Sequence, residues 1–577
     1  MNNQSIPRPE YPRPQFVRPD WINLNGIYEF EMDPGRSGRE REVWKKETLS
    51  ERILVPFCPE SELSGINNKD FMPAVWYRRE FNIPQSWDGK RLLLHFGAVD
   101  YQAQVWVNGQ HVGTHRGGYT PFVCEITSNA QVGENTLVVY AEDDTRSPLQ
   151  PSGKQSGSYH SHGCVYTRTT GIWQTVWVEA VPQTFIEGVK MVPDLPNGQL
   201  FIEAKINGRT KGINFLAEAK IDDKKVGSAK AICQGDKAYA VIALSDIRAW
   251  SLDDPFLYDL ELRLEDNNGV MDSVSSYFGL RSIEIDGPAV LLNGKPVFMR
   301  LVLDQGFYPD GIYTAPSDEA LKNDVEISLG LGFNGARLHE KVFEPRFLYW
   351  ADKLGYLVWG EFPNWGIDHS RHDVVARYLE EWLEAVERDF NHPSIIGWCP
   401  FNETPRNQNP ELLRTIYRTT KRIDPTRLVI DTSGYVHVET DLYDVHDYDQ
   451  NPESFAERYR PLAEEGKARQ NAPGVDASYQ GQPYWVSEYG GIWWNPGQKD
   501  NVSWGYGNRP QSEEEFLQRY RKLTEILLSH PRMCAFCYTQ LYDIEQEVNG
   551  LYTYNRHAKF DPEKIRAINQ QKAAVEK

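Results

Sequence analysis

Two glutamates in this chain end strongly apolar segments: Glu403 closes SIIGWCPFNE and Glu488 lies in PYWVSEYGG. Carboxylates held by rigid apolar strands can share the work at one anomeric carbon. One, ionised, attacks the carbon; the other, protonated, delivers its proton to the leaving oxygen and later activates water. Such a retaining pair must stand about 5–5.5 Å apart, with neighbours that drive the two acidities in opposite directions. Other apolar segments end in Asp304, in Arg337 and His339, in Glu361, in Asp431, in His446 and Tyr448, and in Gln540 and Asp543. Asn402, immediately before Glu403, is placed to hydrogen-bond a sugar 2-hydroxyl, an interaction that strengthens as the oxocarbenium-like state forms.

The elements that must position these groups follow from periodicity. After Asp286 eight apolar segments (VFMRLVLD, FNGARLH, YLVWGEF, SIIGWCPFNE, RLVIDTSG, LYDVHDY, PYWVSEYGG and CAFCYTQLYD) alternate with amphipathic stretches such as VVARYLEEWLEAVERDF and EEEFLQRYRKLTEILLS. Strands alternating with helices imply parallel strands with helical crossovers, and eight repeats describe a (β/α)8 TIM barrel whose working groups sit at the strand C-termini. Glu403 and Glu488 then end the fourth and seventh strands and face each other across the mouth. Upstream, residues 1–182 alternate apolar and polar residues between turn signals, among them Asn108-Gly109, and predict a jelly-roll β-sandwich. Residues 183–284 continue in shorter units, about seven strands, which predicts an immunoglobulin-like β-sandwich. The barrel is assigned 285–577.

Composition narrows the function classes. The chain has 577 residues, 81 acidic against 62 basic, for a net charge of −19. A nucleic-acid binder needs the opposite balance to displace counterions from phosphates. No apolar run approaches the roughly 20 residues that span a bilayer, and the N-terminus has no signal-peptide core, so no membrane partner and a cytoplasmic location are expected. The seven cysteines are scattered; Cys534 and Cys537 form a CxxC inside a strand and are read as buried thiols. Aromatic residues make up 12 %, including 17 Trp and 30 Tyr, and aromatic faces stack on sugar C–H faces. Trp493 and Trp494, just past Glu488, are the platform candidates, whereas Trp359 reads as barrel filling.

The segments NHPSIIGWCPFNE and YWVSEYGG resemble the acid/base and nucleophile signatures of glycoside hydrolase family 2, which includes β-galactosidases, β-mannosidases and β-glucuronidases. RPDWINLNGIYEF, VWVNGQHVGTHRGGYTPF, GIWQTVWVE, GFNGARLHEKVFEPRFLYWADKLGYLVWGEFP and DIEQEVNGLYTY extend the resemblance over essentially the whole chain. It implies Glu403 as acid/base and Glu488 as nucleophile, the same order of three domains, and a sandwich loop at 153–171 that extends into the barrel mouth, with Gln155, Tyr166 and Arg168 as its candidate sugar contacts. Two departures stand out. Where the best-known relatives carry Ser-His-Tyr-Pro after the second strand, this chain has Leu338-His339-Glu340-Lys341. The Asn-x-Lys triplet with which the family's β-glucuronidases hold a sugar carboxylate has no counterpart after Glu488, and Asn293-Gly294-Lys295 precedes the first strand; a uronic-acid substrate is disfavoured unless another Arg or Lys takes the role.

The expected function is a retaining exo-glycosidase acting on a carbohydrate substrate, β-galactosidase-like by default. β-Mannosidase, β-xylosidase and pentofuranosidase or galactofuranosidase specificities are alternatives, and the alternative class is a non-catalytic carbohydrate-binding protein. The catalytic pair is Glu403 and Glu488; the expected sugar-binding set is Asn402, Asp304, Arg337, His339, Glu361, His446, Tyr448, Trp493 and Gln540. Asp304 and Glu361 read equally as buttresses of Arg337, and His339 and His446 as core histidines. No metal or other cofactor is required by this chemistry, although some β-galactosidases of the family bind magnesium near the acid/base, and a homo-oligomer is a possible assembly.

Overall fold

A computed structural model describes residues 6–496 and 503–576 of the chain. The sandwich expected at the N-terminus packs a four-stranded sheet against a six-stranded one, with strands from Trp21–Asn23 to Val176–Val181. Its inner faces bury Phe30, Val75, Tyr77, Leu94, Phe96, Val105, Val139 and Val178, the alternating residues of each strand. Asn108 and Gly109, both with positive φ, join Gln102–Val107 to Gln110–Arg116 as the expected hairpin turn. The second sandwich sets three strands against four. Six follow the apolar runs of the sequence. The seventh, Lys224–Ile232, is a sheet edge that alternates Lys, Ser and small residues, a polar edge that discourages pairing with another chain.

The barrel strands are β1 (Met299–Asp304), β2 (Gly335–Leu338), β3 (Leu357–Glu361), β4 (Ile395–Cys399), β5 (Leu428–Val429), β6 (Tyr443–Asp447), β7 (Tyr484–Gly490) and β8 (Met533–Thr539). All ladders are parallel, in the order β5-β4-β3-β2-β1-β8-β7-β6. Between β5 and β6 side chains replace the ladder: Asp441 accepts Val429 N at 2.9 Å, and Asp431 accepts the amides of Val438 and Glu439. The helices are α1 (Asp318–Gly330), α2 (Pro345–Leu354), α3 (Val374–Asp389), α4 (Pro410–Ile423), α5 (Pro452–Glu465), α6 (Glu513–Ser529) and α7 (Pro562–Asn569). The sequence patterns mark α1 to α4 and α6. Pro461 interrupts the pattern of α5, and an Asn451 cap with Pro452 at the first position opens that helix. No helix of the described residues is long and apolar enough to cross a membrane.

A short antiparallel sheet, Ile283–Asp286, Ala289–Leu292 and Lys295–Val297, precedes β1, and Asn293-Gly294 is its second turn. Inside the barrel Trp359 stacks on Trp485 with ring centroids 5.7 Å apart, which makes Trp359 the filling residue expected. Gly397 on β4 gives that ring its room, since a Cβ there would lie 2.2 Å from the Trp359 ring. Gly397→Ala overpacks this core and should cost about 1–3 kcal/mol, read as a lowered urea midpoint at unchanged m-value.

Candidate active site

The C-terminal ends of the barrel strands meet around one guanidinium. Arg337, at the end of β2, is 1 % exposed. Its Nε donates to Glu361 Oε1 at 2.5 Å, its Nη1 to Ser487 O at 2.8 Å and Glu488 Oε1 at 3.1 Å, and its Nη2 to Asn402 Oδ1 at 3.0 Å. One buried cation thus joins β2, β3, β7 and the loop after β4. Glu361 holds His339 Nδ1 at 3.0 Å through its other oxygen. Burial alone would raise the Glu361 carboxyl, but Arg337 and His339 outweigh it and hold it below the usual range.

Asn402 is clamped by Asn364, which accepts its N–H at 2.6 Å and donates to its carbonyl at 2.9 Å. Its side-chain Nδ2 is buried without a partner, the donor a bound hydroxyl would satisfy. Glu403 follows with φ +50, a left-handed conformation rare outside glycine, stabilised by its N–H donating to Ser433 O at 3.0 Å. That turn presents the Glu403 side chain, one-fifth exposed, to the mouth.

His446 stands between the two glutamates. Its Nδ1 lies 2.8 Å from Glu403 Oε1 and 3.5 Å from Glu488 Oε2, and its Nε2 3.1 Å from Ser433 Oγ. The nearest atoms of Glu403, His446 and Glu488 all fall within 4.8 Å of one another. The Tyr448 hydroxyl donates to Glu488 Oε2 and lies 3.1 Å from Thr539 Oγ1, its ring stacked 3.5 Å from that of Tyr506. Burial would raise the Glu488 carboxyl; His446, Arg337, His339 and Lys154 outweigh it and hold it well below the ordinary carboxylate range. Burial would lower the His446 imidazole, but Glu488 and Glu403 carry it above its ordinary value. Among the described residues these three form the group close enough to share a cation.

Other residues expected at the site face different partners. Asp304 accepts from Gly306 N at 3.0 Å and from the Tyr542 hydroxyl; burial and nearby Asp324 push its carboxyl up to about 6. Gln540 bonds Asn549 at 2.9 Å and Gln305 at 2.7 Å. Asp431 and Asp543 organise loops, through His437 at 2.8 Å and Lys559 at 2.6 Å. Trp494 packs in the barrel core near Phe516, while Trp493 is half-buried beside Arg509. In the sandwich loop, Gln155, Tyr166 and Arg168 are buried and committed internally, to Asp100, to Glu547 and to backbone carbonyls. Sequence reasoning passes over Lys154, Glu340, Asn364, Trp365 and Ser433. Only Lys154 carries a signal, its place beside Gln155 in the 153–171 segment.

Three family models match in sequence order: "Glycosyl hydrolases family 2, sugar binding domain" over 23–178, "Glycosyl hydrolases family 2" over 184–281, and "Glycosyl hydrolases family 2, TIM barrel domain" over 283–526. The chain belongs to glycoside hydrolase family 2. This family 2 enzyme, an O-glycosyl hydrolase, is similar to a β-glucuronidase of Paenibacillus borealis, 25 % identical over 70 % of this chain and 72 % of that protein. It is also similar to a β-galactosidase of Thermoanaerobacter pseudethanolicus, 26 % identical over 65 % of this chain but 49 % of that one, so it spans about half the latter's length. Among solved structures, β-glucuronidase from Ruminococcus gnavus in complex with D-glucuronic acid shares the fold with a TM-score of 0.79 at 18 % identity, covering 97 % of this chain and 99 % of that one. A family 2 β-galacturonidase from Eisenbergiella tayi aligns with a TM-score of 0.76, also at 18 % identity, over 97 % and 98 %.

The His446 pairing carries a pH signature. A group raised on folding contributes stability fully below its unfolded value, about 6.5 for histidine, and loses it as pH rises through the folded value. The depressed Glu488 places the acid limit of the pair well below neutrality. The gap in thermal midpoint between wild type and His446→Gln should therefore be widest below about pH 6.5, the unfolded histidine value, and narrow as pH rises through the raised folded value. A gap that grows with pH would contradict the pairing.

Proposed function

We propose that this family 2 enzyme is a retaining exo-glycosidase that releases a terminal non-reducing glycosyl residue, with Glu488 as nucleophile and Glu403 as acid/base. The observation that carries this reading is the approach of the two carboxylates, with an oxygen of each within 4.8 Å of the other. A retaining pair stands about 5–5.5 Å apart, whereas an inverting pair leaves about 6.5–9.5 Å for a water. The two environments divide the roles. Glu488 is buried between Arg337, His446 and Tyr448, which keep it ionised for attack on the anomeric carbon. Glu403 is the more exposed, as suits a group that must meet first a departing oxygen and then water.

In the first step the Glu488 oxygen bonds the anomeric carbon as the glycosidic bond breaks, and the Glu403 proton passes to the departing oxygen. Asn402, fixed by Arg337 and Asn364, offers its free Nδ2 donor to the 2-hydroxyl. In the second step Glu403 takes a proton from water, which attacks the same carbon and releases Glu488. His446 lies within reach of both carboxylates and follows the change of charge between them.

For the sugar, a neutral β-hexoside with galactoside as default is the leading reading, and mannoside, xyloside, arabinofuranoside and galactofuranoside are its alternatives. The names of the Paenibacillus, Ruminococcus and Eisenbergiella relatives favour a second reading, a hexuronoside. Against it stands the absence of any Asn-x-Lys triplet in the sequence after Glu488.

A panel of p-nitrophenyl glycosides, the glucuronide and galacturonide included, reads the specificity, and NMR of the first-formed anomer reads the stereochemistry. Glu488→Gln should lower kcat on the order of 10⁴-fold or more. Glu403→Ala should spare 2,4-dinitrophenyl glycosides, whose leaving group needs little protonation, and regain turnover with azide. An inverted product, or full activity in Glu488→Gln, would refute the assignment.

A further inference from the structure

The mechanism leaves one charged side chain at the mouth unused. Lys154 belongs to the N-terminal sandwich, is 5 % exposed, and holds its Nζ 3.5 Å from the centre of the Trp365 ring. No carboxylate of the described residues lies within ion-pair distance of that ammonium. The stem is buried, and the ammonium has the Trp365 face beside it but no hydrogen-bond partner among the described residues. The half-buried Cys164 thiol on the same loop and, after it, Glu403, Glu340 and Glu488 act on its charge through space. Burial would lower the Lys154 ammonium, but these groups outweigh it and keep it charged.

Its position is built rather than incidental. The amides of Ser152 and Gly153 donate to Trp365 O at 2.9 and 3.1 Å, and Lys154 O accepts from Tyr166 N at 2.7 Å. Gly153 has φ +56, and a Cβ there would lie 2.5 Å from the backbone oxygen of Glu340. Across the junction, a Cβ on Gly366 would meet Ser152 Oγ at 2.1 Å. Trp365 N donates to Glu340 Oε2 at 3.1 Å, and Trp365 follows Asn364, which clamps Asn402 beside Glu403. Sandwich and barrel therefore meet backbone to backbone at the place that sets Lys154 over Trp365.

We propose that Lys154 binds the sugar directly and determines specificity, its ammonium donating a hydrogen bond to a hydroxyl oxygen of a neutral glycosyl unit held between Glu403 and Glu488. The proposal rests on the retaining exo-glycosidase reading and narrows its substrate class. A hydroxyl satisfies the ammonium without adding charge. A substrate carboxylate would enter a mouth that already carries Glu403 and Glu488, and its desolvation against them would be unfavourable.

Lys154→Met keeps the stem on Trp365 and removes the donor. On the best aryl glycoside of the panel it should lower kcat/KM about 10- to 100-fold, in the range expected for removing a hydrogen bond to a charged group. Among monodeoxy analogues of that glycoside, one should bring wild type and variant within about threefold, because that analogue has no hydroxyl for the ammonium to bind. The reduction should persist with a 2,4-dinitrophenyl leaving group, and Gly153→Ala, which displaces the loop, should reproduce it at unchanged Lys154. Wild-type kcat/KM in Lys154→Met, equal reductions on every deoxy analogue, or a reduction that vanishes with dinitrophenol would overturn the proposed hydrogen bond. A hexuronoside as best substrate, with its selectivity abolished in Lys154→Met, would overturn the neutral class. Calorimetric binding of the unhydrolysed glycoside to Glu488→Gln, with and without Lys154→Met, reads the same interaction without turnover. Weaker binding in the double variant of a protein that never cleaves would sink the glycosidase reading and keep Lys154; equal binding would sink Lys154 alone.

Discussion

The site is organised by the obligation to satisfy one buried guanidinium. Arg337 lies at the end of β2 with almost no access to water, and an unpaired charge there would cost several kcal/mol. Its five donors point in fixed directions in one plane, so the groups that neutralise it have little freedom. Glu361 on β3, the carbonyl of Ser487 and the carboxylate of Glu488 on β7, and the side chain of Asn402 after β4 take those directions. The geometry proposed for catalysis is thus set by a requirement of folding. Against burial, His446 and Arg337 hold the Glu488 carboxyl well below its ordinary range, as its proposed role of nucleophile requires.

The second constraint is the seam between β5 and β6. β5 is two residues long, and the chain after it is held by side-chain acceptors, Asp431 and Asp441, rather than by a ladder. That irregular backbone supplies Ser433, whose carbonyl accepts the Glu403 amide and whose hydroxyl meets His446. Glu403 can occupy a left-handed conformation because this neighbouring loop offers the acceptor it needs. Strain at the proposed acid/base and irregularity in the barrel are two sides of one arrangement.

A third element comes from outside the barrel. The sandwich loop beginning near 150 lies across the mouth, with Tyr166 bonded to Glu547 and Gln305, and Ser152 and Gly153 bonded to Trp365. These are polar interactions in which Tyr166, Ser152 and Gly153 each meet a partner in the barrel domain, so the loop is fixed against the barrel's strand ends and the loops that follow them.

Much of this is legible in the residues. Apolar strands that alternate with amphipathic helices, or with one another, report their own periodicity, and so the three-domain order, the Asn108-Gly109 turn and the strand ends bearing Arg337, Glu361, Glu403, His446 and Glu488 can all be read directly. Lys224–Ile232 and α5 escape because an edge strand buries little and Pro461 breaks a helical pattern, so neither advertises itself. Gln155, Tyr166 and Arg168 are legible as a loop but not as internal struts, since polarity in a sequence does not say which way a side chain turns. The sequence by itself determined which residue types stand at the strand ends, because burial dictates strand composition locally. Only the tertiary structure decided that an oxygen of Glu403 and one of Glu488 come within 4.8 Å, that Arg337 binds one and not the other, and that Lys154 lies over Trp365. Those outcomes depend on ring closure and domain docking, which bring together residues hundreds of positions apart and leave no local trace in composition or spacing.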